Sequence, residues 1–106
     1  MFVAWTTVAT QKEADRLATA VVHAHLAACV QIDAPITSCY HWNGKIEITQ
    51  EIRLTFKCLP EKLLPLETWV LAHHPYSNPE WMAVKADRVS EKYLSWARGD
   101  VHSPTL

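Results

Sequence analysis

Lys45-Ile-Glu-Ile-Thr-Gln-Glu-Ile-Arg-Leu-Thr-Phe-Lys-Cys58 is the stretch that decides the fold. Every even position except Gln50 is apolar, and every odd position is charged or threonine. Alternation with period two predicts a β-strand with one buried and one wet face. At about 3.3 Å per residue, a straight strand of this length spans roughly 46 Å. A domain of 106 residues has a radius of gyration near ~13 Å, so its body is only about 33 Å across. Unless a bulge folds it back, the strand overhangs the domain that carries it. The N–H and C=O groups of an overhanging edge must be covered, and the simplest cover is another copy of the chain. The pattern therefore predicts self-association, with sites shared between subunits.

The two ends of this strand place its neighbours. Asn43-Gly44 just before it is the strongest short hairpin signal, which makes Ile36 to Trp42 its extended partner. Ala27 to Asp33 is another strand, interrupted at Pro35, and Phe2 to Thr6 is a first, short one. Thr10-Gln-Lys-Glu13 is a capping box opening a helix to about His25, with Ala14, Leu17, Ala18, Val21 and Val22 as its buried stripe. Pro60 opens a second helix carrying Leu63, Leu64, Leu66, Val70 and Leu71, which Pro75 stops. Trp81 to Ala86 is the last main strand, and Ser90 caps a third helix that Gly99 ends. Residues 99–106 are expected to be a loose tail of a single domain covering 1–106. The order predicts an α+β, ferredoxin-like βαββαβ sandwich with a long hairpin and an extra C-terminal helix.

Composition removes several function classes. Hydrophobic content of 49% with 20% charged residues fits a soluble globular domain and argues against disorder. A net charge of −1 without a basic stripe argues against nucleic acid and anionic membrane surfaces as partners. No stretch approaches the ~18 apolar residues of a membrane span. The N-terminus lacks the basic region of a signal peptide. Three cysteines without C-x-x-C spacing point to reduced thiols in the cytoplasm. Only two glycines exclude a P-loop or dinucleotide cradle. The five tryptophans are spread along the chain and suit core and interface filling.

Three groups of residues could carry chemistry. His73-His74-Pro75-Tyr76 puts two imidazoles at a broken helix end, where the rings can converge on a metal ion; imidazole suits copper, zinc and nickel. Two ligands do not close a site, so a third would come from elsewhere. The competing account is two histidines favouring the negative end of the helix dipole. Trp42 at the hairpin tip wants a partner surface or pocket. On the wet strand face Glu47, Glu51, Arg53 and Lys57 alternate in sign, by default as weak cross-strand pairs. Covered by a neighbouring subunit, Glu51 and Lys57 would become ligand-binding groups. No nucleophile elbow or triad is present, so an enzyme is not expected.

Four stretches together resemble the CutA divalent-cation-tolerance family: Leu26-Ala-Ala-Cys-Val30, Trp42-Asn-Gly-Lys-Ile-Glu47, Ala72-His-His-Pro-Tyr76 with Pro79-Glu80, and Tyr93-Leu-Ser-Trp96. Their order and spacing cover Phe2 to Arg98. The resemblance implies a cytosolic homotrimer that binds divalent metal, copper above all, through the positions of His73 and His74. It places the third copper ligand, a cysteine in the family pattern, at Thr6, a poor copper donor, so metal binding is expected to be weak. The family also looks similar in architecture to the PII signalling proteins. That gives the alternative, a regulator with a small effector in an intersubunit cleft, near which Trp42, Glu51, Lys57, His73 and Tyr76 would lie.

Overall fold

β4 (Lys45–Cys58) is unbroken over all 14 residues and is the spine of the sheet. The computed structural model describes residues 1–100. Most of the tail expected to be loose, 101–106, lies outside the described residues. Along the chain the elements are β1 (Phe2–Val8), α1 (Gln11–His23), β2 (Cys29–Ile32), β3 (Ile36–Trp42), β4, a 3-10 turn (Pro60–Lys62), α2 (Leu63–His73), β5 (Met82–Lys85) and α3 (Glu91–Ala97). The sheet is antiparallel in the order β2-β4-β1-β5, with β3 pairing the other half of β4. This is the α+β arrangement expected, with α1 and α2 packed on one face. The described residues measure 49 × 27 × 25 Å, so the hairpin of β3 and β4 does project beyond the body.

The core sits under the second half of β4. Ile52, Leu54, Phe56 and Cys58 alternate inward to meet Ala4 and Val8 of β1, Leu17 and Val21 of α1, and Leu66 and Val70 of α2. Burying each large apolar side chain contributes about 1.5–3 kcal/mol. Phe56 also meets Trp81, with ring centroids 5.7 Å apart. α1 ends at His23, not His25, because His25 adopts φ 59° and the Leu26 N–H closes back on the Val21 carbonyl at 2.9 Å. Its capping box is half made: Thr10 Oγ1 accepts from the Glu13 N–H at 3.2 Å, while the Glu13 carboxylate turns to Arg16. Val22, Leu64 and Leu71 are exposed, not core. In α2 the inward positions are Leu66 and Val70, four residues apart, and Leu64 and Leu71 fall on the far side.

Pro35 marks a bulge. Ile32 faces Leu54, whereas Ile36 faces Glu51, so three residues (33–35) oppose two (52–53). One extra residue flips the alternation of β3 relative to β2. Ser38, Tyr40 and Trp42 therefore stand on the same side of the sheet as Glu47 and Glu51. Asp33 spans the bulge and holds Arg53 at 2.8 Å. The sheet face away from α1 and α2 is partly apolar and bare: Met82 and Val84 are 57% and 51% exposed and sit opposite Trp5 and Val3.

Candidate functional site

Leaving α2, the chain turns extended at His74 and crosses the end of β1 as a loop to Glu80. His74 fastens that loop. Its Nδ1 lies 3.0 Å from the Tyr76 N–H, which can only donate, so Nδ1 is the acceptor. Its Nε2 lies 3.0 Å from the Thr7 carbonyl, which can only accept, so Nε2 carries the proton. Thr6 Oγ1 is also 3.0 Å from Nε2, and it spends its own proton on the Glu80 carbonyl at 2.7 Å. The hydrogen bonds thus assign a neutral Nε2–H imidazole. Burial pushes the His74 pKa below its ordinary 6.5, against the opposing pull of the Thr7 carbonyl.

His73 has a different role. Its ring stacks on Trp69 at 4.1 Å, and Nδ1 donates to the Trp69 carbonyl at 2.8 Å. Its Nε2 has no partner among the described residues and keeps a lone pair when neutral. An imidazole oriented through one nitrogen by a backbone carbonyl is the usual form of a metal-ligating histidine. Arg16 reaches across from α1 to the His73 carbonyl at 2.9 Å and to Glu13 at 2.7 Å.

Adjacent in sequence, the two imidazoles are therefore not presented as a chelating pair. Neither His74 nitrogen has a lone pair to spare, and the Thr6 side chain is fully buried with its hydroxyl committed. Among the described residues no three His, Cys, Asp or Glu side chains converge. The donor set does not fit a closed three-ligand copper site.

Beside this loop lies a cleft of about 930 Å³ between the hairpin and residues 76–80. Trp42, Glu51 and Tyr76 line it. The Tyr76 hydroxyl donates to the Glu51 carboxylate at 3.0 Å. Burial, and then that carboxylate, push the Tyr76 pKa up to about 12.

Lys57 does not belong to the cleft. It is six residues further along β4, about 20 Å at strand rise, and its Nζ stands 5.8 Å from the Tyr93 ring. There it borders a separate hollow of about 260 Å³ together with Phe2, Arg88 and Tyr93. Glu47, Tyr40, Thr7 and Glu80 line the cleft in addition. The Asn43-Gly44 turn fixes the register that sets Tyr40 opposite Glu47. Thr7 is set by the pairing of β1 with β4, opposite Arg53, and Glu80 comes into place only through the crossing loop, which leaves no local signal.

A model of the CutA1 divalent ion tolerance protein family matches residues 2–100. The divalent-cation tolerance protein CutA of Yersinia pestis (strain Pestoides F) is 37% identical over 86 residues, 81% of this chain and 72% of that one. The structure of CutA from Synechococcus elongatus PCC7942 superposes with a TM-score of 0.89 at 42% identity, covering 92% of this chain and 87% of that one. A protein from Archaeoglobus fulgidus described as a periplasmic divalent cation tolerance protein CutA gives a TM-score of 0.87 at 33% identity, covering 93% and 97%.

Proposed function

The chain belongs to the CutA1 divalent ion tolerance family, and from that membership we propose a homotrimer that responds to divalent cations by binding them, without catalysis. The observation that carries the assembly is the uncovered apolar surface of the single chain. Ile46 and Ile48 on the projecting hairpin are 65% and 67% exposed, and Met82 and Val84 stand open on the bare sheet face. Two such surfaces, one at the tip and one across the body, suit burial against sister chains. The copy number of three comes from the family resemblance.

Divalent metal is proposed to meet the chain at His73 Nε2, the ring whose tautomer Trp69 sets. His74 serves mainly to anchor the loop and would join the metal only if residues 74–80 came off β1. One imidazole holds copper weakly, in keeping with threonine at position 6. A cytoplasmic setting is proposed from the three free cysteines, although the Archaeoglobus relative is described as periplasmic. No helix among the described residues is long and apolar enough to cross a membrane. A second reading, a PII-like regulator with a small effector at the subunit boundary, is favoured by the cleft that gathers Trp42, Glu51 and Tyr76.

Light scattering combined with copper titration tests the leading reading. The expected mass is three times the 12.1 kDa chain. Copper binding should be weak in the wild type and lost in His73→Ala. A mass of one chain refutes the assembly, and equal copper binding by wild type and His73→Ala refutes the metal contact.

A further inference from the structure

We propose that Thr6 is a positioning residue that withholds His74 from metal. Its one buried hydroxyl ties both ends of residues 74–80 to β1, and this strap must lift before a second imidazole can join His73. The proposal deepens the metal reading of His73 and rests on it.

Little else holds the strap. Residues 75–80 make no backbone-to-backbone hydrogen bond among the described residues, and Pro75 and Pro79 have no N–H to give. Side chains carry the fastening. At the near end Thr6 Oγ1 stands 3.0 Å from His74 Nε2, and at the far end it donates to the Glu80 carbonyl at 2.7 Å. One hydroxyl thus holds both ends of the segment. It is fully buried, on the β1 face of Ala4 and Val8, where leaving its partners unsatisfied is costly. The posts on either side are fixed. Arg16 holds the His73 carbonyl at 2.9 Å before the strap. After it, Trp81 lies against Phe56 and donates its indole N–H to Glu67 at 2.9 Å. The Tyr76 hydroxyl adds an outer tether to Glu51 at 3.0 Å.

Strap and metal compete for the same ring. Through Nδ1, His74 could offer a lone pair only by giving up the Tyr76 N–H at 3.0 Å. Through Nε2 it would have to leave the Thr7 carbonyl and Thr6 Oγ1, both at 3.0 Å. Its proton would then move to Nδ1 and point at the Tyr76 N–H, donor against donor. Neither nitrogen is available while residues 74–80 lie on β1. Thr6 therefore does more than fail as a ligand. A merely poor donor at position 6 predicts that removing its hydroxyl leaves metal binding as weak as before. A latch predicts tighter binding, because a bond lost from the closed strap raises the share of chains in which His74 is free.

The test is copper(II) titration of the full-length chain, with electron paramagnetic resonance on the same samples. The parent carries Cys39→Ser, so that this exposed thiol does not take the metal. Thr6→Val should bind copper about tenfold more tightly than the parent, the equivalent of one hydrogen bond. Its spectrum should show two imidazole nitrogens where the parent shows one. Thr6→Ser, which keeps the hydroxyl, should match the parent in both respects. Should Thr6→Val not fold, Tyr76→Phe, which cuts the outer tether and leaves the core alone, must tighten copper binding in its place. Binding no tighter than the parent's, or a parent that already shows two imidazole nitrogens, overturns the proposal and leaves the His73 contact standing. Tightening by Thr6→Val that persists after His73→Ala upholds the strap and sinks the His73 contact. Copper binding absent from parent and variants alike overturns both.

Discussion

Replacing Gly44 by valine isolates the contribution of one backbone torsion to assembly. Asn43 and Gly44 have φ of 51° and 75°, the pair of positive values that a type I′ hairpin turn requires. A Cβ added at Gly44 meets no atom of its own chain within 4 Å, so within the subunit the strain of the substitution lies in the torsion. Holding an ordinary L-residue in that region costs about 1–2 kcal/mol, and a β-branched one belongs at the upper end. In a trimer whose three hairpins dock on neighbours, the cost recurs in each subunit, about 3–6 kcal/mol in all. That corresponds to roughly two to four powers of ten in the dissociation constant of the assembly.

Sedimentation equilibrium over a concentration series measures this directly, with Gly44→Ala as the milder comparison. The core of each subunit should be untouched, because Phe56, Leu54 and Leu17 pack at the opposite end of β4 from the turn. Residues 39–46 are exposed in the single chain, so the dissociated subunit can relax its hairpin tip and meets the torsional cost only on docking; its denaturant melts should then superpose on those of the wild type. An association constant that does not move in Gly44→Val would refute the coupling between turn geometry and assembly.

Two further outcomes follow from the buried titratable groups. His74 is neutral in the fold and its pKa is depressed below 6.5 by burial, so on acidification the unfolded chain takes up the proton first. The stability its neutral form supplies is complete above that value and is lost as pH falls below it. Thermal melts from about pH 7 to pH 5 should show a falling midpoint in the wild type and a flatter one in His74→Gln; equal slopes would remove His74 from the account. Cys58 is fully buried, and burial pushes its thiol pKa up. Iodoacetamide should label it only at the rate of unfolding, and mass-spectrometric labelling within seconds under native conditions would show that this end of the core opens far more readily than its packing implies.

What was legible in the sequence is what local periodicity encodes. Alternation from Ile46 to Cys58 and the Asn43-Gly44 turn specify the hairpin, its register and its overhang without reference to the rest of the chain. The inward stripe of α1 is equally local, apart from Val22. The site was less legible because it depends on a register shift and a crossing loop. The bulge at 33–35 decides which side of the sheet Tyr40 and Trp42 face, and a proline alone does not state how many residues will be accommodated. Charge alternation groups Glu51 with Lys57, since both are on the wet face, but a strand separates same-face residues by length, and these two border different hollows. His73 and His74 look equivalent as letters. Only the partners of each ring nitrogen, drawn from Thr6, Thr7, Trp69 and Tyr76, tell the anchor from the open donor.

The position of β1 between β4 and β5 has a consequence for biosynthesis. Residues 2–8 leave the ribosome ahead of both their partners: one flank waits for residues 52–58 and the other for residues 82–85. Neither pairing is local, so the nascent chain carries an apolar strand with no hydrogen-bonded neighbour until residues 52–58 have been made. Slowing elongation between those two segments would lengthen the interval in which Val3 and Trp5 are open to trigger-factor-type chaperones or to a neighbouring nascent chain on the same polysome.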